Sequence, residues 1–147
     1  MNKLIKTNEN AAATIIRIVL GVILFPHGAQ KLLGWFGGYG FNGTMGFLTG
    51  TAGLPWILAL LVIVIEFFGA LALIFGFGTR IVAVGVITLF TGMILTSHAG
   101  NGFFMNWSGQ LPGEGYEYHL LVIGMSLALL ISGAGKWSVD YALQKKG

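Results

Sequence analysis

The sequence places a small set of proton-carrying and charged side chains in surroundings that are almost entirely apolar. Glu66 stands near the middle of a nearly unbroken apolar run, residues 54–77. A carboxylate at mid-bilayer depth costs about 2.5–3.5 kcal/mol even on lenient insertion scales, so it needs a partner, a proton or a purpose. Arg17, His27 and Lys31 precede it in another apolar stretch and fall on one side of a helix at about 100° per residue. His98 closes a third stretch, and Glu117 and His119 open a fourth. At about 1.5 Å of rise per residue, the three histidines, Lys31 and Glu117 share one layer near a single face, with Glu66 beneath them and Arg17 deeper still. A column of polar groups inside an apolar bundle has the pattern of a ligand pocket or a proton path. Glu66 and His27 are the candidates for proton transfer. Arg17, Lys31, His98, Glu117 and His119 are candidates for holding a ligand.

Each of these residues also has a plainer reading. Arg17 can snorkel along its aliphatic stem to the headgroups. Lys31 and Glu117 can sit at the interface. Glu66 can pair with Arg17 or His27 simply to lock two helices, although buried ion pairs add little net stability. Thr88, Thr91 and Ser126 can line the same space or bond to their own backbones. Gly21, Gly28, Gly69, Gly92 and Gly124 are expected to let helices approach closely.

The elements that must position these groups are membrane helices. The chain has 147 residues, of which 55% are hydrophobic and only 9% charged, against about 25% charged in a soluble domain. That implies one all-α integral membrane domain over residues 1–147, with spans at residues 11–34, 55–77, 79–97 and 118–132. Each has the length of a bilayer-crossing helix, the last being the shortest. The first span follows Lys3 and Lys6 as a secretory signal would. It is too long and contains Arg17, so it reads as a retained helix.

Basic residues set the orientation of the four-transmembrane-helix bundle. Lys3, Lys6, Arg80, Lys136, Lys145 and Lys146 fall on one side and Lys31 alone on the other, which predicts both termini inside (N-in/C-in). Trp35, Trp56, Trp107, Tyr116 and Tyr118 then form an outer aromatic belt, with Trp137 and Tyr141 at the inner face. The Gly- and Thr-rich stretch from residue 37 to residue 53 reads as a short interfacial or re-entrant helix between helices 1 and 2, or as a covering loop.

Composition also excludes chemistry. With no cysteine, neither dithiol exchange nor a Cys-ligated metal or iron–sulfur site is available. Any electrons must be carried by a bound molecule or a partner. The net charge of +3 is scattered rather than striped, which argues against nucleic acid as a partner. Three histidines in one layer could ligate zinc or copper, and two could ligate haem. The absence of His-x-x-x-His or Glu-x-x-His spacing within one helix weighs against a metal.

A set of short motifs runs through nearly the whole chain: Arg17-Ile18 and His27-Gly28-Ala29-Gln30-Lys31-Leu32, then Phe36-Gly37-Gly38-Tyr39-Gly40, Gly43-Thr44 and Gly53-Leu54-Pro55. Glu66, Gly69 and Leu73 follow, with Gly76-Phe77-Gly78-Thr79-Arg80 and His98-Ala99-Gly100-Asn101-Gly102-Phe103-Phe104. Gly115-Tyr116-Glu117-Tyr118 and Gly133-Ala134-Gly135-Lys136-Trp137-Ser138-Val139-Asp140 complete the pattern. In order and spacing these residues resemble the DoxX family, and the resemblance implies a four-helix protein of the cytoplasmic membrane linked to redox and stress physiology. Such relatives include the small membrane subunit of a thiosulfate:quinone oxidoreductase, proteins associated with quinone and catechol detoxification, and membrane platforms for oxidative-stress partners. The expected function is therefore a quinone- or small-aromatic-binding component of a membrane redox system, lodged in the lipid bilayer. Two alternatives are a non-catalytic anchor for a soluble redox partner, acting through residues around Arg80 and Asp140, and a small-molecule or proton permeability factor. The latter would gain a path if the chain forms a homo-oligomer.

Overall fold

The computed structural model describes residues 6–145; Lys3 and Lys146, two of the charges used to orient the bundle, lie outside them. Among the described residues there is no strand. The elements are α1 (Ala11–Leu33), a short α2 (Gly40–Gly46), α3 (Trp56–Phe75), α4 (Thr79–Asn101), α5 (Glu117–Ser132) and a final α6 (Val139–Gln144). Three of these, α1, α3 and α4, are long and apolar enough to cross a bilayer. The fourth, α5, is apolar but has 16 residues, about 24 Å at 1.5 Å per residue.

The boundaries follow local chemistry. α1 begins where the Asn10 side chain accepts hydrogen bonds from the backbone N–H groups of Ala12 and Ala13, at 2.9 and 3.4 Å, satisfying donors that a helix start leaves free. α3 stops at Phe75, two residues before the apolar run ends, because Gly76 turns left-handed at φ 69°. A side chain there would also meet Ser138 at 2.4 Å. α4 runs past the expected end at residue 97 through a widened turn, Ile94–His98, and a tight one, Ala99–Asn101.

In a bilayer the lipid is as apolar as a leucine side chain, so helix association rests on close packing rather than on escape from water. α1 lies against α3 and α5, and α4 against α5, around Leu20, Leu24, Leu73, Val86, Phe90, Val122 and Leu129. The tightest approach is at Gly28. A Cβ there would fall 2.5 Å from the backbone of Phe67 and 2.6 Å from the carbonyl carbon of Glu66. Gly21, two turns earlier, is also close: a Cβ there would fall 2.9 Å from the Ala70 carbonyl oxygen. Gly69 meets only side chains, Val82 at 3.2 Å and Ile65 at 3.9 Å, whereas Gly92 and Gly124 have nothing within 4 Å. The last two therefore do not serve the close packing expected of them. A separate apolar cluster of Met45, Ala59 and Ile63, flanked by Leu32 and Leu48, seats α2 on α3 and α1.

Candidate functional site

Glu66 sits on a widened, π-type turn of α3, Ile65–Gly69, a local irregularity often found at functional positions. Its side chain is only 2% exposed, and its carboxylate accepts a hydrogen bond from the Lys31 ammonium at 2.5 Å. This is neither of the pairings expected from the sequence. Gly28 brings the α1 backbone onto the Glu66–Phe67 peptide, and Lys31 follows Gly28 by one helical turn. The lysine thus reaches the carboxylate directly. His27 faces outward and makes no hydrogen bond to Glu66, although the carboxylate is close enough to act electrostatically on it.

Arg17 lies deeper along the bundle than Glu66 but neither pairs with it nor snorkels. It is 1% exposed and turns toward the chain's C-terminal segment. Its Nε donates to Ala134 O at 2.9 Å and Nη1 to Leu73 O at 2.7 Å and to Ile74 O. Nη2 donates to Trp137 O and Lys136 O, at 3.2 and 3.5 Å. All five N–H donors of a guanidinium are thereby used. The carbonyls of Leu73 and Ile74 are among those an α-helix leaves unpaired at its C-terminus, where a cation is also favoured by the helix dipole. Arg17 thus ties the end of α3 to the segment after α5, about 11 Å along the helix from Glu66. With no donor to spare, it is corrected from a ligand-holding residue to a helix clamp.

The same end of the bundle is tied together by Asp140 and Arg80. Asp140, 1% exposed, accepts from the N–H groups of Gly78 and Thr79 at 2.8 and 3.0 Å, capping α4. Arg80 donates to Leu130 O and Ile131 O at 2.6 and 2.9 Å, closing α5. Residues that sequence reasoning offered to a soluble partner are engaged within the fold.

The three histidines do not meet at one point. His98 and His119 meet, with ring centroids 4.1 Å apart, and His98 Nδ1 bonds to Glu114 O at 2.8 Å. His27 instead faces Tyr118, ring to ring at 6.1 Å. Among the described residues, no group of three His, Cys, Asp or Glu converges to hold a metal ion. Glu117 points away from the histidines and accepts the Trp107 indole N–H at 3.4 Å. Thr88 and Ser126 bond to carbonyls one turn back, Val84 and Val122.

The cavity lies elsewhere, beside Lys31. A cleft of about 630 Å³ is bounded by Gln30, Lys31, Gly37, Gly38, Tyr39, Gly43, Thr44, Phe47 and Leu48, so its walls are one end of α1 and the Gly-rich α2 region. Among the seven sequence-predicted residues, Lys31 forms part of the wall. The others are not part of it. Glu66 lies behind Lys31 through the ion pair. Tyr118 was missed as a site residue because only its place in the aromatic belt was legible. Its buried hydroxyl and the buried His119 Nδ1 have no hydrogen-bond partner among the described residues.

A helical membrane protein with a buried carboxylate–ammonium pair opening on a glycine-walled cleft is the class that fold and site define. The model of the DoxX family matches residues 12–99, and the chain belongs to that family. It is 31% identical over 143 residues to "Inner membrane protein YqjF" of Escherichia coli K12, covering 96% of this chain and 98% of the relative. It is 32% identical over 115 residues to "Putative oxidoreductase CatD" of Bacillus subtilis 168, covering 78% of this chain and 75% of that one. No solved structure matches the chain significantly. The apolar helices and the inner-membrane relative make this a multi-pass membrane protein.

Proposed function

We propose that this protein binds a quinone or a similar small aromatic molecule in the cleft beside Lys31, as a component of a membrane redox or stress system. The observation that carries the reading is the Lys31–Glu66 pair at 2.5 Å, with the lysine at the cleft wall and the carboxylate buried behind it. Ligand clefts are mostly apolar with a few placed polar groups, and Tyr39, Phe47 and Leu48 with backbone-only walls at Gly37, Gly38 and Gly43 suit a flat ring. The Lys31 ammonium donates to a ring oxygen, and Glu66 exchanges the proton that accompanies reduction or oxidation. With no cysteine in the chain, the bound molecule and a redox partner carry the electrons. The oxidoreductase name of the Bacillus relative supports the same reading.

Four crossings with both termini inside complete the proposal. Lys6, Arg80, Lys136 and Lys145 lie toward one end and Lys31 toward the other, as the positive-inside pattern requires. A reporter fused after the C-terminal helix should be active only as a cytoplasmic enzyme; periplasmic activity would overturn the orientation.

The ligand reading is tested by thermal unfolding of the purified protein with decylubiquinone, menadione and catechol. At least one should raise the midpoint in wild type, and the rise should vanish in Glu66→Gln and Lys31→Met. No shift with any of the three overturns the reading.

A further inference from the structure

Two buried polar atoms are unused by the cleft, and they lie side by side in sequence on α5. His119, 5% exposed, has no partner at Nδ1, and Tyr118 has none at its hydroxyl, among the described residues. Leaving such groups unpaired in an apolar interior is costly. Their neighbours are not random. Tyr118 has the His27 ring at 6.1 Å, and His27 immediately precedes Gly28, which packs on the Glu66–Phe67 peptide. The Tyr118 and His119 rings are 5.7 Å apart, and His119 is 4.1 Å from His98. His98 in turn reaches the long loop between α4 and α5, residues 102–116, through Glu114 O. Because a carbonyl only accepts, His98 Nδ1 carries the hydrogen and its Nε2 is left as the basic nitrogen.

We infer that Tyr118, His119 and His98, bridged by ordered water, form a proton relay joining the long-loop face of the bundle to Glu66. The His98 and His119 rings are in direct contact, and sites lined by unpaired donors and acceptors, such as His119 Nδ1 and the Tyr118 hydroxyl, are where buried water is held. Two imidazolium charges on rings 4.1 Å apart would repel strongly, which disfavours a second proton on the pair. A proton arriving at His98 is therefore handed on or returned. The titratable groups facing His119 are His98 from α4 and Tyr118 on its own helix, with Glu66 of α3 and His27 and Lys31 of α1 beyond Tyr118. The relay rests on the reading of Glu66 as the proton-exchanging group of the cleft. It supplies the route by which that group meets water without opening the cleft.

The test uses no ligand, so its failure is separate from failure of the quinone reading. Nitrogen NMR of histidine-labelled protein in lipid nanodiscs follows each imidazole through a pH titration. A relay requires that buried His119 exchange protons rapidly in wild type and slowly in His98→Phe. It also requires that Glu66→Gln shift the His119 titration in the wild-type background and not in Tyr118→Phe. His27, adjacent to Glu66, should respond to Glu66→Gln in both backgrounds and so reports that each variant is folded. If His119 exchanges equally fast without the His98 imidazole, or ignores Glu66→Gln throughout, His119 is a packed core residue beside Phe90 and the relay is overturned.

Discussion

Replacing Lys31 with methionine removes the ammonium paired with Glu66 while keeping most of the side-chain volume, and so isolates the charge. At 2.5 Å and an effective dielectric of about 20, the direct attraction is roughly 7 kcal/mol. Desolvation of both groups offsets most of it, and replacing a whole buried pair with apolar groups is often near neutral. Removing one partner is different, because it strands the other charge, at about 3–5 kcal/mol. Glu66 is 2% exposed and Lys31 24%, so the two single variants should be unequal. Lys31→Met strands a carboxylate whose side chain cannot turn out to solvent and should cost about 3 kcal/mol. Glu66→Gln leaves an ammonium that can turn toward the cleft, and should cost about 1–2 kcal/mol. The double variant should be more stable than the sum of the singles implies, with a coupling of about 1.5–3 kcal/mol. Unfolding by titrated SDS in mixed micelles, followed by tryptophan fluorescence and circular dichroism, measures all three. Equal costs for the two singles, or an additive double variant, would refute the placement of this pair as buried and asymmetric.

Two further outcomes are expected in the same assay. Gly28→Ala places a Cβ 2.5 Å from the Phe67 backbone, which cannot yield as a side chain would, so the helices must part at a cost of about 1–3 kcal/mol. Gly92→Ala, with nothing within 4 Å, should be neutral or gain up to about 1 kcal/mol from helix propensity; matching losses at both positions would contradict the packing. Arg17→Lys keeps the charge but offers three donors where five are used, and should destabilise by about 2 kcal/mol or more. Wild-type stability in that variant would mean that the guanidinium fork is dispensable.

What the chain determines by itself is the class of molecule and the elements. Apolar runs of bilayer length fix helices wherever they occur, because a membrane requires every backbone group to be paired within its own segment. That requirement is local, so it is written along the sequence, and the long helices fell close to their expected bounds. The polar residues were legible for the same reason: a charge in an apolar run stands out whatever it contacts. Their partners were not, since pairing depends on helix rotation and separation, and these are set by contacts remote in sequence. Gly28 against the Glu66–Phe67 peptide and a widened turn in α3 hand the carboxylate to Lys31 rather than to Arg17 or His27. Arg17 then serves five carbonyls from two distant segments, a role that helical periodicity within one span cannot register. The cleft likewise arises where α2 folds back over α1, and Tyr118 becomes notable only once His27, Phe90 and His119 close around it. Sequence decided which groups are costly to bury, and tertiary packing decided which of them meet.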